Sequence, residues 1–102
     1  KSKDIIVRAM DEHYYTVEVV SRQVRMTPAA VRRYTRLGLV APSARRGRTV
    51  LYSDADLARL RKVVRLTRDL GLNLAGVDIV LRLTDEMTAL RREMASWREE
   101  ER

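Results

Sequence analysis

The stretch that decides the fold covers residues 16–38 and reads TVEVVSRQVRMTPAAVRRYTRLG. Its first half predicts a helix capped by Thr16, because valines recur at helical spacing from residue 17 to residue 24. Its second half predicts another helix, since Thr27 can cap it, Pro28 suits its first turn and Gly38 can end it. Two short helices around a tight connection predict a helix-turn-helix.

The residues after this motif predict a β-hairpin. Residues 39–42 and 49–53 are short runs rich in apolar and β-branched residues, and a basic loop with a turn glycine, Gly47, lies between them. A hairpin with a charged tip beside a helix-turn-helix is typical of a wing. The expected fold is therefore mostly α, a winged helix-turn-helix with a short β-hairpin wing.

Two further helices are predicted after the wing. Ser53 or Asp54 caps the first, which Gly71 closes, and Asn73 opens the second, which extends to about residue 83. In the first of these, the residues expected to face inward are Leu57, Leu60, Val63, Val64 and Leu70. Those expected to face outward are Arg59, Arg61, Lys62 and Arg65.

The last part of the chain carries an apolar stripe. Five residues follow a 4-3-4-3 spacing, namely Leu83, Met87, Leu90, Met94 and Trp97. This is the a and d spacing of a coiled coil, and such a helix is marginal alone in water. The stripe predicts a C-terminal dimerisation helix in a homodimer, with helix ends that also pack on the globular body. A ligand slot at Trp97 and the methionines is the alternative.

Three parts are predicted along the chain. Residues 1–13 form an N-terminal arm or short strand, residues 14–82 the winged helix-turn-helix domain, and residues 83–102 the coiled-coil dimerisation helix. The apolar residues of the first part are Ile5, Ile6 and Val7.

The residue types of the chain exclude several kinds of site. There is no Cys, and the one His, His13, has no second ligand beside it, so a surface or packing role is expected for it. No catalytic or metal site and no cofactor is predicted, and the chain is not expected to be an enzyme. No apolar run is long enough for a membrane span, and a cytoplasmic protein is expected.

The positive charge is confined to one half of the chain. Residues 1–52 carry eleven Lys and Arg against four Asp and Glu, whereas residues 53–102 carry ten of each. Eight arginines and no acidic residue lie between Val19 and Ser53. A solvated structural surface usually mixes its signs, so this asymmetry favours a polyanionic partner, double-stranded DNA. An acidic protein or a membrane surface is the alternative.

Three of these segments resemble the MerR family. They are VRRYTRLGL at residues 31–39, LYSDADLARL at residues 51–60 and GLNLAGV at residues 71–77. The third is similar to the heat-shock repressor (HspR) branch of that family. The resemblance covers about residues 14–94 and implies a winged helix-turn-helix regulator.

The second helix of the helix-turn-helix is the predicted recognition helix, and its geometry together with the resemblance gives a set of DNA-binding residues. This set comprises Thr27, Pro28, Ala29, Arg32, Arg33, Tyr34, Arg36, Arg45, Arg46, Arg48 and Tyr52. Thr27, Ala29, Ala30 and Arg33 are assigned to the major-groove face. The resemblance places Arg32 and Tyr34 at phosphates. The alternatives are solvated arginines in the helix, a flexible basic turn in the wing, and core packing for Tyr34 and Tyr52.

Three departures from the family pattern stand out. Arg25 replaces the usual turn glycine, and a left-handed backbone there would cost on the order of 1 kcal/mol. Val50 replaces an arginine of the wing, so wing phosphate contacts must come from the wing's other arginines. Arg33 replaces the first Tyr of the usual triplet.

The resemblance implies a dimeric repressor of chaperone genes that binds an inverted-repeat operator at the bacterial nucleoid. A chaperone of the seventy-kilodalton heat-shock class would be its corepressor. An activator that untwists a promoter spacer, or a chaperone or co-chaperone interaction module that binds no DNA, are the alternatives.

Overall fold

The computed structural model describes residues 7–9 and 12–101. The strands there are β1 (Val7–Ala9), β2 (Glu12–Tyr15), β3 (Ala44–Arg46) and β4 (Thr49–Ser53). The helices are α1 (Val17–Val24), α2 (Pro28–Arg36), α3 (Asp54–Val64) and α4 (Leu74–Glu100), with a π-helical segment at Arg65–Asp69. The strands form one antiparallel sheet in the order β1-β2-β4-β3. The predicted fold class, a mostly helical winged helix-turn-helix, is confirmed.

Side-chain caps start both helices of the motif. Thr16 Oγ1 accepts a hydrogen bond from the N–H of Val19 at 3.4 Å, and Thr27 Oγ1 accepts one from the N–H of Ala30 at 3.1 Å. Each cap satisfies an N–H group that has no partner inside its own helix. Pro28 occupies the first turn of α2, as predicted.

The turn between α1 and α2 has a left-handed residue. Arg25 has φ 58° and ψ 49°, a conformation that glycine adopts without strain. Hydrogen bonds surround the strained residue: the Met26 N–H donates to the Ser21 carbonyl at 2.9 Å, and Arg68 Nη2 donates to the Arg25 carbonyl at 2.6 Å. These bonds offset the cost of placing an arginine there, and they tie the turn to the segment after α3.

A first apolar core lies beneath the motif and the wing. Its buried members are Val20, Val24, Val31, Val40, Tyr52, Leu57 and Leu60. They come from α1, α2, β4, α3 and the segment after α2, so one core fixes the recognition helix relative to the wing. Burial of this apolar surface is the main favourable term for such a domain.

The first strand of the wing differs from the prediction. It is Ala44–Arg46 rather than residues 39–42, because Leu39 and Val40 are buried in the interior instead of pairing in the hairpin. Their apolar character reflects burial, which a short run of sequence cannot distinguish from a strand. Arg45 and Arg46 are consequently strand residues, and the hairpin turn contains only Gly47 and Arg48.

A buried carboxylate fixes the base of the wing. Asp56 Oδ2 accepts hydrogen bonds from the Ser43 N–H at 3.0 Å, the Ser43 hydroxyl at 2.7 Å and the Ser53 N–H at 2.9 Å. The Ser53 hydroxyl in turn accepts from the Asp56 N–H, which completes a capping box at the start of α3. The hairpin and α3 therefore meet at a fixed angle.

The helix after the wing does not keep one register to its end. Leu57, Leu60 and Val63 are buried as predicted, but Leu70 is 68% exposed, so its predicted inward position is wrong. The π-helical segment inserts one residue into the helical repeat and brings Leu66, not Leu70, to the interior. Arg59 and Lys62, predicted to face outward, are half-buried and bond to neighbouring elements.

Helix α4 combines two predicted helices in one. It runs without a break for 27 residues, and its first turns pack in a second core formed by Leu39, Val63, Leu66, Val77 and Leu81. Residues 85–101, which we call the stalk, are all exposed. In the single chain, this segment packs no apolar residue on the body, and the expected packing of the helix ends in a dimer stays a prediction.

The N-terminal residues add strands to the wing sheet. Strand β2 was not predicted, and it pairs with β4 through Tyr14–Ser53 and Tyr15–Tyr52. The Tyr15 hydroxyl donates to Asp54 Oδ1 at 2.7 Å, and this bond raises the pKa of Tyr15. His13 is half-buried in β2. Of the apolar residues predicted to form a strand or arm, Val7 begins β1, while Ile5 and Ile6 lie outside the described residues.

Candidate nucleic-acid interface

Helix α2 has one apolar and one cationic side. Val31 is buried, and Tyr34 packs between the two cores. Arg32, Arg33 and Arg36 are exposed on the remaining surface, and no acidic residue lies in the first turn of the helix. Helical spacing therefore turns the three arginines to solvent while the opposite side holds the helix in the domain.

The N-terminal end of α2 carries small side chains and is partly accessible to solvent. Ala29 is exposed and Ala30 half-buried, while the Thr27 hydroxyl is already engaged in the cap. Small side chains let a helix approach bases closely, and methyl groups can contact thymine methyls. Thr27 keeps a second acceptor lone pair and its hydroxyl proton for such a contact.

The wing presents its arginines in different directions. Arg45 pairs with Val50 and Arg46 with Thr49 across the hairpin, and all three wing arginines are exposed. Successive strand residues point to opposite faces of a sheet, so Arg45 and Arg46 cannot both face the same phosphate. Arg45 lines a hollow with Thr35 of α2, which places it on the side of the recognition helix.

A groove joins the recognition helix to the wing. It has a volume of about 480 Å³, and its lining includes three cations and one acid. We call it the basic groove, and its charged residues are Arg32, Arg36, Arg48 and Glu18. The start of α1, at Thr16 and Val17, forms one wall, so the positive end of that helix dipole adds to the field of the arginines.

Among the described residues, Glu18 is the one carboxylate that lines this groove. Its Oε2 lies 3.2 Å from Nη2 of Arg32, and the two side chains are 58% and 52% exposed. An exposed pair of this kind is weak, typically worth less than about 1 kcal/mol. Sequence spacing gives no signal for Glu18, because residues 18 and 32 meet only in the folded chain.

Tyr52 has a structural position. It is 2% exposed, and its hydroxyl shares a 2.8 Å hydrogen bond with the Thr35 hydroxyl of α2. Its ring packs in the first core, as the core-packing alternative expects, and Tyr52 also lines the basic groove, so its DNA contact stays a prediction. Through Thr35 it fixes the recognition helix against the wing. Tyr34 is half-buried, and it lines a surface hollow with Thr27 and Ala30.

The apolar stripe of α4 is open to solvent. Leu83, Met87, Leu90, Met94 and Trp97 are each about half to two-thirds exposed. Ile79 is equally exposed and lies four residues before Leu83, so it extends the stripe by one helical turn. It shares the face of the stripe but departs from the 4-3-4-3 alternation, which places Val80 before Leu83, so the heptad spacing did not identify it. We keep the name apolar stripe for these six residues.

A metal site needs several ligands close together, and a membrane span needs a long apolar helix. In residues 7–9 and 12–101, no three His, Asp or Glu side chains come together as a set that could hold a metal ion. Over the same part of the chain, no helix has both the length and the apolar character that a membrane crossing requires.

Comparison with known proteins agrees with this geometry. Residues 15–84 match the model of the MerR HTH family of regulatory proteins. The chain is also 36% identical over 81 residues to a Streptomyces coelicolor protein that carries the name heat shock protein HspR. That match covers 79% of this chain but 54% of the relative, so the chain spans about half the length of this curated relative. Members of this family are transcriptional regulators, which are not a class of enzyme. This chain belongs to the MerR HTH family of DNA-binding transcriptional regulators.

Proposed function

We propose that this chain is a homodimeric, sequence-specific repressor that binds an inverted-repeat operator. The observation that carries the proposal is the basic groove, which lies between the exposed arginines of α2 and the wing. Arginine presents a planar fork of donors suited to phosphate oxygens, so the groove can hold the DNA backbone while α2 enters the major groove.

The proposed contacts divide by position. Ala29, Ala30, Thr27 and Arg33 would face base edges, because residues near the start of a recognition helix reach the bases. Phosphates would be held by Arg32, Tyr34, Arg36, Arg45 and Arg48. Arg46 points to the opposite face of the wing from Arg45, so the two arginines cannot both contact one phosphate.

Dimerisation would occur through the apolar stripe. Six exposed apolar residues on one side of a long helix are unfavourable in water, and a second copy of the same helix can cover them. A two-fold dimer presents two recognition helices to two half-sites, which matches an inverted repeat.

The name of the Streptomyces relative supports a heat-shock role for this chain. The target genes would then encode chaperones, and a chaperone of the seventy-kilodalton class would act as corepressor at the bacterial nucleoid. Such a protein would work in the cytoplasm.

Footprinting of the bound protein across the genome, followed by binding measurements on the recovered site, tests the function. The logarithm of affinity should fall linearly with the logarithm of salt concentration, with a slope of about −0.9 per phosphate contact. For roughly 6–10 contacts per dimer, affinity should fall about 10³- to 10⁵-fold between 50 and 200 mM salt. A flat salt response would contradict DNA binding. Expression of the footprinted genes in a deletion strain separates repression, which predicts a rise, from activation.

A further inference from the structure

The contact between the body and the stalk changes its character along α4. Val77 and Leu81 are fully buried in the second core, so apolar packing holds the first turns of the helix. From Leu83 onward that packing ends. The contacts that follow are polar: Lys62 Nζ donates to the Thr84 hydroxyl at 2.6 Å, and Arg59 Nη1 lies 3.0 Å from Asp85 Oδ1.

Arg59 makes a second contact that joins this point to the recognition helix. Its Nε donates at 2.6 Å to the carbonyl oxygen of Leu39. Leu39 is buried and directly follows Gly38, the residue that ends the recognition helix, and its own N–H donates to the Tyr34 carbonyl at 3.0 Å. One planar guanidinium on α3 therefore bridges the end of α2 and the place where α4 leaves the body.

This bridge is suited to fixing an angle. Apolar packing is non-directional and tolerates small rotations, whereas the donors of a guanidinium lie in one plane and accept only a narrow range of partner directions. The fifteen residues beyond Asp85, up to Glu100, extend α4 by about 22 Å. A tilt of roughly 5° at Asp85 would move the far end of that lever by about 2 Å, a large fraction of the 3.4 Å rise of one base pair.

We propose that Arg59 is a positioning residue that sets the angle between the recognition helix and the stalk, and thereby the half-site spacing that the dimer selects. The inference rests on the proposed function, since it requires two recognition helices joined through the stalks. Arg59 itself touches no DNA in this arrangement; it acts through Leu39 and Asp85.

The test compares operators whose two half-sites are moved apart or together one base pair at a time. The variants are Arg59→Met, which keeps the aliphatic stem but removes every donor, and Asp85→Ala, which removes only the contact on α4. Asp78→Asn is the matched control, because Asp78 pairs with Arg82 within α4 and not with the body. Light scattering measures the dimer, and a single half-site measures the intrinsic affinity of the domain.

Both variants should remain dimers and bind the half-site within about twofold of the wild type. Their preference for the best spacing over its neighbours should fall by at least about threefold, the effect of losing one charge pair. A protein that carries both Arg59→Met and Asp85→Ala should lose no more spacing preference than Arg59→Met alone. Asp78→Asn should keep the wild-type profile. Asp85→Ala leaves the Leu39 carbonyl bonded, so it supplies the test if Arg59→Met does not fold.

The outcomes separate this inference from the function on which it rests. Suppose that the wild type prefers one spacing and that Asp85→Ala and any folded Arg59→Met protein keep this preference. The role of Arg59 is then overturned, while the dimeric operator model stands. A wild type that is monomeric, or that binds all spacings equally, overturns the dimeric operator model and this inference with it.

Discussion

The globular body and the stalk of this chain are built in opposite ways. The body buries two apolar cores and carries the excess positive charge on its surface, at α2 and the wing. The stalk buries nothing, and its acidic and basic residues surround one apolar stripe. The body has an apolar core of its own, whereas the apolar side chains of the stalk are exposed to water, which is unfavourable unless another surface covers them. Under the proposed function, the two regions bind their partners by different means, the body through charge and the stalk through apolar surface.

The sharpest test of this contrast is Leu90→Glu. Leu90 lies near the middle of the apolar stripe, and two glutamates in a two-fold interface would be buried close together, so the protein should become monomeric. Full-operator affinity should fall by about 100-fold or more, because the second recognition helix is no longer tethered to the first. The helicity of the body should persist. Light scattering, circular dichroism and gel shifts on full and half operators measure the three effects.

Ser96→Glu is the matched control for that substitution. Ser96 is exposed on the stalk but lies off the stripe, so the same charge there should leave the dimer intact. A dimeric Leu90→Glu protein, or a monomer with wild-type affinity for the full site, would show that the stripe is not the interface.

Leu60→Ala probes the body in the same way. Leu60 is fully buried in the first core, and truncation of such a leucine costs about 2–5 kcal/mol in the free energy of unfolding. Denaturant unfolding at one protein concentration measures the loss. Combined with Leu90→Glu, which removes dimer formation, Leu60→Ala should cost a similar amount. A much smaller cost in that monomeric background would mean that the stability of the body depends on the stalk.

Arg33→Ala separates base reading from backbone contact within the body. If Arg33 contacts a base edge, its loss should reduce the preference for operator over random DNA by about 1–3 kcal/mol. Arg45→Ala should instead weaken binding to both DNAs alike and reduce the salt slope by about one. Competition binding at several salt concentrations measures both. Equal losses on the two DNAs for Arg33→Ala would assign it to a phosphate.

Glu18→Gln should have the smallest effect on DNA affinity of these substitutions, and it should raise the affinity where the others lower it. Removal of the carboxylate frees Arg32 and takes a negative charge out of the basic groove, so affinity for any DNA should rise. The expected gain is about two- to fivefold, the range of an exposed ion pair. Glu99→Gln, on the side of the stalk away from the stripe, is the control and should change nothing. A loss of affinity in Glu18→Gln would mean that the carboxylate positions Arg32 instead of competing with phosphate.

The sequence by itself determined the class of the fold and the charged face. Caps at Thr16 and Thr27, valines at helical spacing and a glycine at position 38 specify two short helices through local interactions alone. The confinement of the positive charge to one half is also visible without coordinates. The spacing of the stripe predicted a helix with one apolar side, and the structure leaves that side exposed.

Tertiary structure alone decided the features that depend on packing. Residues 39–40 read as a strand because buried loop residues and strand residues are both apolar, and only the core shows which they are. The π-helical insertion shifts the helical register, so that Leu66 is buried and Leu70 is exposed. A regular helical spacing of apolar residues cannot predict such a shift. Arg32 lies 14 residues from Glu18 in sequence, and Arg59 lies 20 residues from Leu39 and 26 from Asp85, so these pairs meet only when the chain folds. Side-chain pairing at such distances is set by the packing of whole helices, so local preference cannot predict it.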